Sequence, residues 1–432
     1  MDKIPHLLEA AGVELEYVIV DDADLSIKPI ADEILKSAAK GEIVQEAKFG
    51  NIAWSNEFTL HVIEIKTIGP QNLFSGLEAL LFEQAMRINA LLKPFKAMLL
   101  PGGSHPLMRP KSETKLWPHG NREIYDTYER IFGCRSHGWS NLQSTHLNIS
   151  FNGDEEFSRL HAAVRLVLPL IPALCASTPV IGGKPSGWLD TRLVYYAQNQ
   201  SKIPSISGEI IPEPGIRSRQ EYEDRILKPM YRDIAVFDKK GLLQEEWLNS
   251  RGAIARFERS AVEIRIIDSQ ECIQAEIAVC GFIAEVIRTL VEERWIGFGK
   301  QRDWDNPGLV KIYRDILKQG MAAIINDRAY LAAFGYKKQS GACTAGQLWR
   351  HLMQTVLPQE NKKFKKWRGA LEIILGEGNL AERITVALKA GSSRKQIIDV
   401  YRKLAAALQD DRLFSPQKWI KEDSLAEFSC KL

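Results

Sequence analysis

The 432-residue sequence contains no long apolar run, no closely paired cysteines and no excess charge of one sign. Each absence excludes something. The most apolar stretch, residues 166–176, carries Pro169 and Pro172 and follows Arg165. A membrane span needs about 20 apolar residues, so this stretch reads as buried core. The start, Met1-Asp2-Lys3-Ile4-Pro5-His6, has neither the basic nor the apolar region of a signal peptide. Six cysteines (Cys134, Cys175, Cys272, Cys280, Cys343, Cys430) are scattered without a C-x-x-C pair. They read as reduced thiols packed like small apolar side chains, at spacings that do not suit structural zinc. The expectation is a cytoplasmic chain with no membrane partner. With 57 Lys+Arg against 54 Asp+Glu, the net charge of +3 gives no global attraction for nucleic acid. A composition of 45% hydrophobic and 26% charged residues excludes disordered, collagen-like and coiled-coil chains.

Common nucleotide and hydrolase motifs are missing too. No Walker A loop is present, because Gly183-Lys184 runs into Pro185 and position 178 is Thr. There is no G-x-G-x-x-G fingerprint and no H-E-x-x-H. Pro106 spoils a nucleophile elbow at Gly102-Gly103-Ser104-His105-Pro106. The basic run Lys362, Lys363, Lys365, Lys366 and Arg368 is interleaved with Phe364 and Trp367, which fall on one helical stripe. It reads as a solvated helix face rather than a nucleic-acid site.

What is present is a body of mixed structure followed by helices. Alternating segments rich in Val, Ile, Leu or Thr predict strands over 13–20, 58–67, 96–100, 145–151 and 261–268. Helices are predicted over 27–39, 72–92, 122–132, 154–176 and 270–293, with Leu73, Leu77, Leu80 and Leu81 marking the second. Residues 178–228 are rich in Pro and Gly and read as loop. After Trp304-Asp305-Asn306-Pro307-Gly308 the strand signals stop, and helices are expected over 348–355, 365–375, 380–390 and 394–408. The expected class is α+β, with a catalytic body over 1–300 and a helical region over 301–432.

The strands have unusual polar faces. Period-two alternation sets Glu14 and Glu16 opposite Val13, Leu15 and Tyr17, with the two carboxylates about 7 Å apart. His146, Asn148 and Ser150 share a face, as do Glu263 and Arg265. Glu57 and Glu64 are an odd number of residues apart. To line one site, their segment must bend or bulge between them, or Glu57 must precede the strand. His61 reads as structural. Solvent-facing strands alternate in the same way. Even so, faces built from Glu, His, Asn and Arg form a donor set suited to Mg2+ or Mn2+. Arg265, Arg256, Arg251, Arg192 and Arg122 are candidates to bind phosphate or a substrate carboxylate.

The segments Gly12-Val13-Glu14-Leu15-Glu16, Glu57 to Glu64-Ile65-Lys66-Thr67, His146-Leu147-Asn148-Ile149-Ser150 and Glu263-Ile264-Arg265-Ile266-Ile267-Asp268 occur in one order. That order resembles glutamate–cysteine ligase family 2, the bacterial carboxylate–amine ligases. Leu100-Pro101-Gly102-Gly103-Ser104-His105-Pro106 and Ala176-Ser177-Thr178-Pro179 add to it. The resemblance, over about residues 10 to 295, implies a glutamine-synthetase-like catalytic fold with a curved, mainly antiparallel sheet. It implies ATP and Mg2+ (or Mn2+) as cofactors, and an amide formed between a glutamate-like acid and an amine such as cysteine. Glu16, Glu57 and Glu64 would hold one metal; Glu14, His146 and Glu263 would hold another. Arg265, with Arg256, would stabilise the transferring phosphoryl group, and Arg251 and Arg192 would help bind the nucleotide. The segments 113–139 and 182–188 diverge from the family and would shape the substrate pockets. A phosphotransferase on the same fold and a catalytically degenerate binding protein are the alternative readings. A homo-oligomer is compatible with the sequence.

Overall fold

The computed structural model describes residues 4–72, 76–337, 341–388 and 392–416. Its centre is an eight-stranded sheet built on the period-two alternation. In β1 (Ala11–Asp21) the side chains of Val13, Leu15 and Tyr17 are wholly buried on one face, leaving Glu14 and Glu16 on the other. The remaining strands are β2 (Glu46–Phe49), β3 (Ile52–Asn56), β4 (Val62–Thr67), β5 (Ala97–Leu100), β6 (Ser144–Ser150), β7 (Ala253–Arg256) and β8 (Ala261–Asp268). Their order is β2-β3-β4-β1-β6-β8-β7, every pairing is antiparallel, and β5 pairs with the second half of β1. The architecture is α+β, as expected.

The single strand expected over 58–67 is divided. β3 ends at Asn56, a turn carries residues 57–61, and β4 begins at Val62. Glu57 therefore precedes the strand that bears Glu64, the arrangement that lets both reach one side of the sheet. A register shift between Ile264 and Ile267 marks a bulge within the pairing of β8 with β6. Strands β2, β3 and β7 lie outside the segments predicted as strand.

Helices flank the sheet, and one of them, bearing Tyr128, stands on its polar face. They include α1 (Ala31–Ala38), α2 (Leu77–Leu92), α3 (Arg122–Phe132), α4 (Gly153–Val167) and α5 (Ile273–Val291). Leu73, assigned to the second helix from sequence, lies outside the described residues. The run predicted over 154–176 is broken, because α4 passes through a 3-10 turn (Leu168–Leu170) into a short helix (Ile171–Cys175). Pro169 and Pro172 sit at the first turns of those two pieces, where a missing N–H costs little. By length and composition Gly153–Cys175 could cross a membrane, but 94% of its apolar window is buried inside the fold. The five cysteines among the described residues are buried, and none of them is joined in a disulfide.

Residues 178–228, read as loop, contain a helix over Thr191–Tyr196 capped by the Asp190 carboxylate. Beyond residue 300, helices α6 (Asn306–Gln319), α7 (Ala345–Val356), α8 (Lys365–Glu377), α9 (Leu380–Leu388) and α10 (Arg394–Asp410) dominate. One small pair, Ile324–Ile325 with Cys343–Thr344, corrects the expectation that strands end near residue 300. Of the basic run, Lys362, Lys365 and Lys366 are exposed above a buried Phe364 and Trp367. Arg368 is instead buried against the Leu357 carbonyl, so the solvated face is narrower than expected.

This helical region shares a core with the body. Trp349 Nε1 donates to Leu170 O at 2.9 Å, Asn379 Nδ2 to Ala173 O at 3.1 Å, and Ala381 N to Ala176 O at 2.8 Å. Gly281 on α5 lies so close to Trp367 on α8 that an added Cβ would fall 2.2 Å from the ring.

Candidate active site

Strand register assembles the site. Across β4, β1 and β6, Lys66 lies opposite Glu14, and Glu14 opposite His146. One step along, Ser55 lies opposite Glu64 and Glu64 opposite Glu16. Glu263 on β8 lies opposite Asn148 on β6. Antiparallel pairing thus gathers on one face residues that are far apart in sequence.

The contacts are close. His146 Nδ1 is 3.2 Å from Glu14 Oε2 and 4.0 Å from Glu263 Oε1, and its Nε2 is 3.8 Å from Glu16 Oε1. Asn148 Nδ2 donates to Glu14 Oε1 at 3.1 Å. Ser144 N donates to Glu16 Oε2 at 2.7 Å. Glu64 accepts hydrogen bonds from Ser55 Oγ and, at 3.0 Å, from Lys66 Nζ.

Electrostatics follow from burial and from these partners. Burial works to raise the Glu14 carboxyl, but the hydrogen bond with His146 and the charges of His146 and Arg259 outweigh it, holding the group below its ordinary range. Burial likewise opposes an imidazolium at His146, yet the bond to Glu14 and the charges of Glu16, Glu14 and Glu263 raise it. Burial pushes Glu64 up to about 7 in spite of Lys66. Glu57 is raised well above the usual carboxylate range, first by burial and then by Glu16 and Glu64.

Glu14, Glu64 and His146 each offer one ligand atom, and these atoms lie within 4.8 Å of one another. The set of two carboxylates and an imidazole fits Mg2+ or Mn2+. It joins one residue of the first expected triad to two of the second. Glu16 stands beside His146. Glu57 lines the adjoining cavity, outside this group of three. Glu263 is engaged at both oxygens, by Arg265 Nε at 2.6 Å and Arg256 Nη1 at 2.8 Å.

The arginines divide. Arg265 and Arg192 line a cavity of about 200 Å3 together with Glu16, Glu57, His146 and Trp139. Arg192 is anchored there by Asp268 Oδ1 at 2.5 Å. Arg256 stands behind Glu263. Arg251 forks onto Glu213 at 2.8 and 2.5 Å and donates to the carbonyls of Ser205 and Ile206, away from the cavity wall. Arg122 is exposed and pairs with Asp126. His61 is fully buried with its ring 2.8 Å from Ser140 O, a structural position.

A second cavity, of about 430 Å3, opens beside Glu14. Gly12, Thr67, Asn148 and Arg259 line it with the apolar Ile4, Pro5 and Pro70. The acidic cluster stands between the two. Of the divergent segments, 113–139 supplies Tyr128, Gly138 and Trp139 to the first cavity, whereas 182–188 reaches neither. Sequence reasoning gave no role to Lys66 or Arg259. The period-two offset from Glu64 marks Lys66, but Arg259, in the turn between β7 and β8, carries no such signal.

The model of glutamate-cysteine ligase family 2 matches residues 10–403. The chain belongs to that family. It is thus a member of a family of ATP-dependent carboxylate–amine ligases, and the match runs through the helical region as well as the sheet. A protein of Archaeoglobus fulgidus whose function is uncharacterised is 32% identical over 405 residues, spanning 93% of this chain and 99% of that one. The glutamate–cysteine ligase of Francisella tularensis, solved in complex with AMP, superposes with a TM-score of 0.58 at 13% identity, over 94% of this chain and 89% of that one. A bifunctional glutathione synthetase from Pasteurella multocida gives a TM-score of 0.57 at 12% identity, over 92% of this chain and 52% of that one. At such identities the likeness is one of fold.

Proposed function

We propose that this chain activates the side-chain carboxylate of a glutamate-like acid by phosphorylation with ATP and joins it to an amine such as that of cysteine. The observation that carries the reading is the placement of the Glu14–Glu64–His146 group between two cavities of different character. The cavity beside Glu14, with Ile4, Pro5 and Pro70 in its wall, suits a purine base, and Arg259 and Lys66 stand near it for the phosphates. The cavity beside Glu16 presents Arg192 and Arg265, whose planar guanidinium groups suit carboxylates. A carboxylate held there would face the terminal phosphate across the cluster.

Amide formation from a free carboxylate is unfavourable in water, and an acyl phosphate supplies the leaving group. Phosphoryl transfer needs little covalent help from the protein, so positioning and charge dominate. Mg2+ held by Glu14, Glu64 and His146 would neutralise phosphate charge when bound. Arg265, fixed by Glu263, would face the transferring group, while Arg192, fixed by Asp268, orients the acid.

The test is ADP release with Mg2+, ATP and glutamate across a panel of amines, with hydroxylamine included to trap an acyl phosphate as a hydroxamate. Amine-dependent ADP release with an amide product is expected. A folded, ATP-binding protein that forms neither amide nor hydroxamate would sink the reading.

A further inference from the structure

Four aromatic rings stand together in the wall of the cavity beside Glu16. Phe58, Tyr128, Trp139 and Trp247 all line it. Ring centroids lie 5.8 Å apart for Phe58 and Trp139, 5.0 Å for Tyr128 and Trp139, and 6.0 Å for Tyr128 and Trp247. Phe58, Trp139 and Trp247 each keep part of their surface exposed. Such a wall takes an apolar body, and its ring faces attract a cation.

The charges narrow the choice further. Among the described residues, the cationic side chains that line this cavity are Arg192, Arg265 and His146. His146 is enclosed by Glu14, Glu16 and Glu263. In the proposed reaction Arg192 is taken by the acid and Arg265 by the transferring phosphoryl group. Arg256 is held by Glu263, and Arg251 is forked onto Glu213. Among the described lining residues, then, no cation is left to meet a further carboxylate, and Glu57 adds an acidic group instead. A carboxylate taken out of water without a counter-charge is costly. An α-amino acid brings one to the cavity, and a simple amine does not. We infer that the acceptor is an amine without a carboxylate, an alkyl- or arylamine whose carbon body lies on the wall of Phe58, Tyr128, Trp139 and Trp247. The inference rests on the proposed reaction and narrows its acceptor, setting cysteamine above cysteine. In that reaction the amine nitrogen bonds to the acyl carbon and the C–O bond to phosphate breaks. Phosphate leaves with the electron pair and with the proton displaced from nitrogen.

The test compares matched acceptors on the wild-type protein with ATP, Mg2+ and glutamate: cysteine against cysteamine, and phenylalanine against phenethylamine. Amine-dependent ADP release gives kcat/KM, and mass spectrometry identifies the amide. In each pair the member without the carboxylate is expected to be at least tenfold better. Phenylalaninamide, which keeps the bulk but not the charge, should side with phenethylamine. Trp139→Leu should raise KM for phenethylamine more than it lowers kcat. An equal or reversed preference in either pair would overturn the inference, a result that needs no variant to fold. So would phenylalaninamide siding with phenylalanine, which would make bulk the barrier, or an unchanged KM in Trp139→Leu. Hydroxylamine separates the inference from the reaction beneath it. Hydroxamate without amide from any of these amines overturns the inference alone, whereas neither hydroxamate nor amide removes the proposed reaction with it.

Discussion

Arg265 reaches back along its own strand to donate through Nε to Glu263 Oε1 at 2.6 Å, and Arg256 closes on the other oxygen from β7. Glu263 is 1% exposed. A carboxylate so enclosed positions two guanidinium groups as much as it offers itself to a metal. Neutralising it should therefore do two things. Glu263→Gln is expected to abolish amide formation and also to lower stability by on the order of 3 kcal/mol, because one buried and one half-buried guanidinium group lose their counter-charge. Urea denaturation alongside the activity assay checks this. Wild-type stability in the variant would show that the ion pairs contribute nothing net.

His146 touches three glutamates, and its ring is the only nitrogen donor in the Glu14–Glu64–His146 group. His146→Ala should weaken Mn2+ binding at least tenfold, by about 1.4 kcal/mol or more. It should also release Glu14 from its low carboxyl range, since the bond with His146 is the largest influence favouring the carboxylate. Unchanged Mn2+ affinity would move the metal site elsewhere on the sheet.

Three buried histidines away from the candidate metal group should contribute to the loss of stability in acid. His61 and His105 are pushed down to about 4 by burial, and His161 to about 3 by burial with the charges of Arg165, Arg225 and Arg251. Each is neutral in the fold and takes a proton near the ordinary value of about 6.5 once unfolded. The unfolded state therefore binds more protons below that value, so stability is full above about pH 6.5 and is lost as pH falls toward 4. Denaturant midpoints between pH 7 and pH 4.5 should show this slope. His161→Phe, which suits the neighbouring Phe157 and Tyr222, should make it shallower. An unchanged slope would mean that these rings are already charged in the fold.

Much of the site was legible because period-two alternation prints the polar face of a strand directly into the sequence. Glu14 and Glu16, and His146 with Asn148, could be set on one face before any pairing was known. Register could not be read. The two metal triads come from the family resemblance, whereas pairing brings Glu14, His146 and Glu64 together and sets Arg256 and Arg265 on Glu263. Nor could the counter-charges be placed. The glutamates read from sequence as a donor set for metal ions, yet Arg256, Arg259, Arg265 and Lys66 already pair with three of the five. Arg259 acts from a turn, where side-chain direction has no period. Short strands such as β7 carry too few residues to show alternation, and the bend that places Glu57 depends on a turn whose sequence has neither Gly nor Pro.

A buried pair helps tie the helical region after residue 300 to the site. Arg383 on α9 and Glu271 form an ion pair with the two side chains at most 1% exposed, and Arg383 also holds the carbonyls of Gly378 and Phe414. Glu271 is three residues from Asp268, whose carboxylate anchors Arg192 at the cavity, and the intervening Ser269 and Gln270 are fully buried. Arg383→Met would leave Glu271 charged and unpaired in the core, at a cost of about 3–5 kcal/mol. Arg383→Met with Glu271→Leu removes both charges and should recover most of that loss, since apolar replacement of a whole buried pair is often neutral. Because the turn that holds Asp268 is disturbed, the single variant should also raise KM for the acid more than it lowers kcat. Urea denaturation with steady-state kinetics on both variants decides the matter. A single variant as stable as wild type would show that Glu271 finds another partner, and unchanged KM would uncouple the helical region from Arg192.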